Sequence, residues 1–366
     1  MLMNTKIKTG ISGDIYLQKY VNNFNKEDNL KSNENEKINK EQLKNKLELI
    51  DLISKEKPEI IEKFEIVDYI GSGGESIVFK GKIKNINQFV TMKFILGQIK
   101  LNEIHISKIL KHQHLIDYYG FSDVVKNQMH VIIMEYAHFG NMKDFRKNVI
   151  KRAYFSESLI GFFVVQILKG LYYMHIICKI AHLDLKPENI IIDQYLNAKI
   201  IDFSISLDYS QITSKKITLL CKGTNFYMAP EVLSSKKINI NYLNKVDLYS
   251  LGVIIYYFMF NSYPYGLTSE ISNNFNKISE TIEKNDLKFE EKEEIQFYSP
   301  SLIDLTKKLL EKDIDKRINI FEALNHDFIK KSNVLYEEKE KIYNAGNFLI
   351  YLMTDHLKSF NDLMKI

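Results

Sequence analysis

The residues best suited to chemistry in this chain fall in three stretches. Ile70-Gly71-Ser72-Gly73-Gly74-Glu75-Ser76-Ile77-Val78 lies between two strand-like runs and reads as a hairpin turn. Glycines there let backbone N–H groups approach a phosphate with no Cβ in the way. A plain glycine-rich hairpin has the same composition. It is not a dinucleotide fingerprint, because a strand rather than a helix follows it. Val90-Thr91-Met92-Lys93-Phe94 sets one lysine in an apolar strand. In a cleft that ammonium could neutralise phosphate oxygens; on a surface it would run its stem along apolar neighbours with its head in water. The third stretch is His182-Leu183-Asp184-Leu185-Lys186-Pro187-Glu188-Asn189, with Asp202-Phe203-Ser204 starting eighteen residues beyond Asp184.

The elements that must position these residues change type along the chain. Residues 1 to 63 are rich in Asn, Lys and Glu and read as an extension, partly disordered or helical. Within it Leu43, Leu47, Ile50 and Ile53 recur at helical spacing, as expected of a short helix packed on the main domain, or of one that binds a partner. Short β-type segments follow at Phe64–Ile70, Ser76–Ile83, Phe89–Leu96 and His130–Glu135, with one helical segment around Asn102–Leu110. After Met142 the pattern is helical, with long amphipathic runs at Ser156–Ile177 and Lys245–Phe260. A strand-rich lobe followed by a helix-rich lobe reads as α+β with a cleft between the two. Residues 330 to 366 read as a helical tail.

Composition narrows the class. The 366 residues carry a net charge of +4 with 26% charged side chains, a near-balance unlike that of a basic nucleic-acid binder. Two cysteines, Cys178 and Cys221, make no disulfide framework or metal spacing, which fits a reducing compartment, the cytoplasm or the nucleus. Met1 to Gly10 are polar and mixed, unlike a signal segment. The longest apolar runs, such as Leu251 to Phe260, are about ten residues, too short to span a bilayer.

Taken in order, these motifs resemble the signature set of the eukaryotic protein kinase superfamily: glycine-rich loop, strand lysine, catalytic loop and metal-binding Asp-Phe-Gly. Ala229-Pro230-Glu231, Asp247-Leu248-Tyr249-Ser250-Leu251-Gly252, and Arg317 ahead of Leu324-Asn325-His326-Asp327-Phe328 extend the match. The resemblance implies a bilobal kinase domain over 64–329, with an N-lobe of 64–135, a C-lobe of 138–329 and an ATP cleft between them. It also implies ATP and Mg²⁺ as cofactors and Ser/Thr hydroxyls of protein substrates as acceptors.

Residue by residue, Asp184 resembles the carboxylate that orients the acceptor hydroxyl and takes its proton. Lys186 resembles the lysine on the transferring phosphate, and Asn189 and Asp202 the Mg²⁺ ligands. Lys93 resembles the lysine on the α- and β-phosphates. Its expected helix partner is Glu103, the only acidic residue between Lys93 and His112. Residues Ile70 to Val78 would cover the phosphates. Adenine would lie between Val78 and Ile191, near Thr91 and the gatekeeper Met134, with hinge hydrogen bonds from the backbone of Glu135 and Ala137. Glu231 with Arg317, and Asp247, resemble structural anchors. Thr224 sits where Ser/Thr kinases link Asp184 to Lys186.

Several positions depart from the family pattern. Leu183 replaces the arginine that normally binds an activation-loop phosphate, so loop phosphorylation is not expected to be the obligatory switch. Ser204 replaces the glycine after Asp202-Phe203, and Ser76 replaces the third loop glycine. Ser107 stands where a large apolar residue is usual, and Lys93 and Glu103 are only ten residues apart, so the helix lead-in is short. The departures keep a second reading open, a pseudokinase-like scaffold or interaction module. A small-molecule or lipid kinase is a third. His175 and His182 read as packed core histidines. The expected partners are protein substrates, with a regulatory partner for the terminal extensions.

Overall fold

The computed structural model describes residues 49–72, 76–96, 101–125, 129–150, 155–219, 225–272, 274–289 and 291–339. Its N-terminal half is built on one five-stranded antiparallel sheet in the order β1-β2-β3-β5-β4, where β1 is Phe64–Ser72, β2 Ser76–Ile83, β3 Gln88–Leu96, β4 Tyr118–Val125 and β5 Met129–Glu135. The strand β4 has no counterpart in the sequence reading. Gly120, Ser122 and Asp123 dilute its β-branched and aromatic content, and its register slips twice, between Tyr118 and Gly120 and between Asp123 and Val125. An edge strand of this kind is specified by its partner β5 more than by its own composition.

Alternation along the strands puts Phe79, Val90, Met92, Phe94, Val131 and Ile133 into one apolar cluster of the sheet. That cluster is closed by the chain before β1. A helix over 49–56 and a second over Pro58–Lys63, whose proline occupies the first turn, bury Leu49, Ile53 and Ile60 among those residues. Burial of the fully enclosed Ile53 is worth about 1.5–3 kcal/mol. The helical spacing of Ile50 and Ile53 therefore serves packing on the domain, with Leu49 rather than Ile50 as the more buried neighbour. Leu43 and Leu47 lie outside the described residues. The helix Leu101–Ile109, close to the expected Asn102–Leu110, presents Glu103, Ile104, Ile106 and Ser107 as buried residues.

The C-terminal half is a helical body. Helix Glu157–Tyr172, capped by the Ser156 hydroxyl, which accepts from Leu159 N, continues into a π-helical turn at Tyr173–Ile177. Over Glu157–Ile177 this 21-residue element is long and apolar enough to cross a membrane. That corrects the expectation that no apolar stretch reaches such a length. The fold explains the apolarity otherwise, because the helix runs through the core and buries nearly every residue from Leu159 to Leu171.

The helix Leu243–Phe260 also departs from expectation. It is buried on every face rather than amphipathic. Its polar residues mark internal partners instead of a solvent face: Lys245 Nζ donates to Ile314 O (2.8 Å), Ser250 Oγ to Tyr227 O (2.7 Å), and Asp247 binds inside the core. The last described helix, Asp327–Lys339, runs through residue 329, where the sequence reading ended the domain, and lies against helix Glu157–Tyr172. Its close approach depends on Gly161, whose missing Cβ would stand 2.2 Å from Ser332 Oγ.

Candidate active site

Lys93 lies on β3, opposite Val78 of β2 and Ile132 of β5. The strand period points it off the sheet toward helix Leu101–Ile109, where its Nζ meets Glu103 Oε1 at 2.8 Å. The ten-residue interval thus suffices for the pair to form. The same Nζ reaches Asp202 Oδ1 at 3.7 Å, so one ammonium joins the strand, the helix and the loop after residue 200. Burial opposes the charge on Lys93, but Asp202 and Glu103 outweigh it and hold its pKa above the ordinary lysine value. Burial likewise pushes Asp202 up, and Lys93, the hydrogen bonds from Ser204 and the nearby His182 together more than offset this, leaving the carboxyl below the ordinary aspartate value.

Asp184 sits in a loop held from below by Asp247. Both oxygens of this fully buried carboxylate accept backbone N–H groups, Oδ2 from His182 and Oδ1 from Leu183, each at 2.7 Å. His175 Nε2, also buried, donates to Oδ2 at 2.7 Å. Burial pushes Asp247 up, and the His175 bond and neighbouring charges bring it below its ordinary value, so it stays an anion inside the core. These bonds hold Leu183 in the left-handed region (φ 67°), a conformation an L-residue keeps only under constraint.

The loop then folds back on Asp184. Lys186 Nζ lies 2.8 Å from Asp184 Oδ2, and Asn189 Nδ2 donates to Asp184 O (2.8 Å) and Oδ2 (3.0 Å). Those bonds spend the amide nitrogen of Asn189 and leave its Oδ1 for a cation. Ile201 N donates to Asn189 O (2.9 Å), tying the loop to the residue that joins the strand Ala198–Ile200 to Asp202. Asp202 is itself left-handed (φ 66°), and Phe203 beneath it is buried edge-on to the His182 ring. His182 Nε2 donates to Ile201 O (2.8 Å), so both histidines act as packed, bonded scaffold groups.

The nucleotide side is arranged as follows. Ile70, Gly71 and Ser72 end β1, and Ser76, Ile77 and Val78 begin β2, with Gly71 opposite Val78 and Ser72 opposite Ile77. Gly73, Gly74 and Glu75 lie outside the described residues. Thr91 pairs across the sheet with Met134. Glu135 N donates to Asp117 O (2.9 Å), so only its carbonyl could serve a ligand, while its carboxylate binds Lys199 Nζ at 2.7 Å. Ala137 O accepts from Gly140 N, and Ile191 is half-buried on the strand Ile190–Ile192. The Glu135–Lys199 pair, which braces the hinge against the strand Ala198–Ile200, was not legible in the sequence; its partners lie 64 residues apart, on strands of two different sheets.

Behind the site, Arg317 Nη1 and Nη2 meet Glu231 Oε1 and Oε2 at 2.7 and 2.9 Å, a buried two-pronged pair. Thr224 lies outside the described residues. Beside Asp184 a cavity of about 350 Å³ opens under the segment after Asp202, with Leu183, Ile205, Ile212, Ile217, Leu219 and Met228 among its walls. Ser107 is buried in helix Leu101–Ile109.

Residues 64–342 match the protein kinase domain family, and the chain belongs to it. It is 34% identical over 195 residues to serine/threonine-protein kinase 4 homolog B of Dictyostelium discoideum, covering 52% of this chain and 17% of that one. It is 30% identical over 312 residues to the probable serine/threonine-protein kinase fhkA of the same organism, covering 76% of this chain and 51% of the relative. To serine/threonine-protein kinase SRK2B of Arabidopsis thaliana it is 30% identical over 312 residues, covering 84% of this chain and 82% of the relative. The chain thus spans about half or less of the first two.

Proposed function

We propose that this chain transfers the γ-phosphoryl group of ATP to Ser or Thr hydroxyls of protein substrates. The observation that carries the reading is the continuous link Glu103–Lys93–Asp202, with Asp184 held by Lys186 and Asn189 on the other side of the same cleft. Protein kinases in general use ATP and Mg²⁺, and the donor set here fits a hard cation. Asp202 offers a carboxylate and Asn189 an amide oxygen, and among the described residues no cluster of His, Cys, Asp and Glu forms a complete cage. Two protein oxygens completed by phosphate and water are the usual Mg²⁺ pattern. When bound, the ion supplies charge neutralisation on the β- and γ-phosphates.

The protein groups divide the remaining work. Lys93, held by Glu103, would neutralise the α- and β-phosphates. The Asp184 carboxylate would accept the proton of the attacking hydroxyl while that oxygen bonds to phosphorus and the bond to the β-phosphate oxygen breaks. Lys186 would meet the charge on the transferred phosphoryl group. The Ser/Thr preference is supported by Lys186 and by the names of the relatives.

The test is incubation of the chain with labelled ATP, Mg²⁺ and a generic basic protein, beside Asp184→Asn. Label on Ser or Thr with wild type, reduced about 10³-fold or more in the variant, is the expected result. Mg²⁺-dependent ATP binding with no transfer by either protein would instead favour a nucleotide-binding scaffold.

A further inference from the structure

The helix Asp327–Lys339 carries Tyr336 into contact with the loop between helix Leu101–Ile109 and β4. Its ring is buried, lies against Phe162 and His114, and has Lys169 Nζ 3.7 Å from its centroid. Its hydroxyl meets Gln113 Nε2 at 2.9 Å and His114 Nε2 at 3.1 Å. The other ring nitrogen of His114, Nδ1, lies 3.1 Å from Ala198 O. A carbonyl can only accept, so Nδ1 carries the proton. In the neutral ring Nε2 then accepts from the Tyr336 hydroxyl, which itself accepts from Gln113.

Ala198 begins the strand Ala198–Ile200, which leads directly to Asp202. Two main-chain bonds run parallel to this side-chain link: Ile200 N to His114 O (2.9 Å) and Ile116 N to Ile200 O (3.1 Å). The same loop follows the helix that presents Glu103 to Lys93. Gly170 permits the close seating of this loop, since a Cβ there would stand 3.0 Å from His114 O.

We infer that Tyr336 is a positioning residue for the metal-binding carboxylate: through His114 and Ala198 it sets the strand that aims Asp202. The inference rests on the proposed role of Asp202 as a Mg²⁺ ligand. It makes the helix beyond residue 329 part of the working site.

The test uses the full chain and equilibrium ATP binding with and without Mg²⁺. Tyr336→Phe keeps the ring and removes the hydroxyl. His114→Asn keeps a donor at the Nδ1 position for Ala198 O and removes the contact to Tyr336. Each is expected to lower the Mg²⁺-dependent gain in ATP affinity about tenfold, with the midpoint of thermal unfolding changed by only a few degrees, and the double variant to add little to either. A fall in thermal stability with the Mg²⁺-dependent gain unchanged would reduce Tyr336 to packing and overturn the inference, leaving the site reading intact. Additive effects of the two variants would also overturn it. A wild-type chain whose ATP affinity ignores Mg²⁺ would overturn the role of Asp202 and the inference with it.

Discussion

Lys93 is surrounded by two carboxylates, and the consequences for pH follow from the directions of the shifts. Asp202 is held below its ordinary value of 3.8, so its contribution to stability is fully present above that pH and is lost as pH falls through the lower folded-state value. Lys93 is held above 10.5, so its contribution is present below that pH and is lost as pH rises through the higher folded-state value. Between these limits the pair is constant. The expected outcome is that Asp202→Asn lowers the unfolding midpoint by a fixed amount from about pH 5 to 9, and that the deficit shrinks as pH drops below 3.8. Thermal melts of both proteins across that range check it; a deficit that grows in acid would contradict the assignment. The left-handed backbones of Leu183 and Asp202 belong to the same scale. Leucine does not announce that conformation, and at Leu183 it is held by the bond from its own N–H to Asp247.

Among the elements, the Glu231–Arg317 pair ties the short helix Pro230–Leu233 to the loop before helix Ile320–Leu324. Arg317 is almost wholly buried and also donates to Lys245 O (3.0 Å) and Glu311 O (2.8 Å). Removing it would strand a buried carboxylate. Arg317→Ala is expected to cost about 3–5 kcal/mol, read by denaturant unfolding. Replacement of both partners by apolar residues of similar volume should cost less, because no charge is then left without a counter-ion. The pair and its burial were expected from the resemblance; its two-pronged geometry came from the fold.

Over the whole molecule, the segment after Asp202 is fixed without a cation at position 183. Its strand Lys216–Thr218 pairs with Lys237–Asn239, and Ile217 and Leu219 line the cavity shared with Leu183. Thr213, Ser214 and Thr218 are exposed. The variant carrying Thr213→Ala, Ser214→Ala and Thr218→Ala together is therefore expected to keep phosphotransfer within about threefold of wild type, since no arginine at 183 awaits a phosphate. Abolished transfer would sink that idea. What the sequence determined by itself is local: the grouping of Asp184, Lys186 and Asn189 in one loop, the hairpin at Gly71, and most strands and helices, whose periodicity is set by neighbours a few residues away. What only the tertiary structure decided joins residues far apart in the chain. Glu103 could be named as the partner of Lys93, but its reach across a short lead-in depended on where the helix docks. The strand β4 exists because β5 pairs with it. The polar positions of helix Leu243–Phe260 look like a solvent face until their buried partners are seen. Tyr336 reaches His114 across 222 residues, an approach set by how Gly161 and Gly170 let two segments close on one helix, and spacing along the chain carries no trace of it.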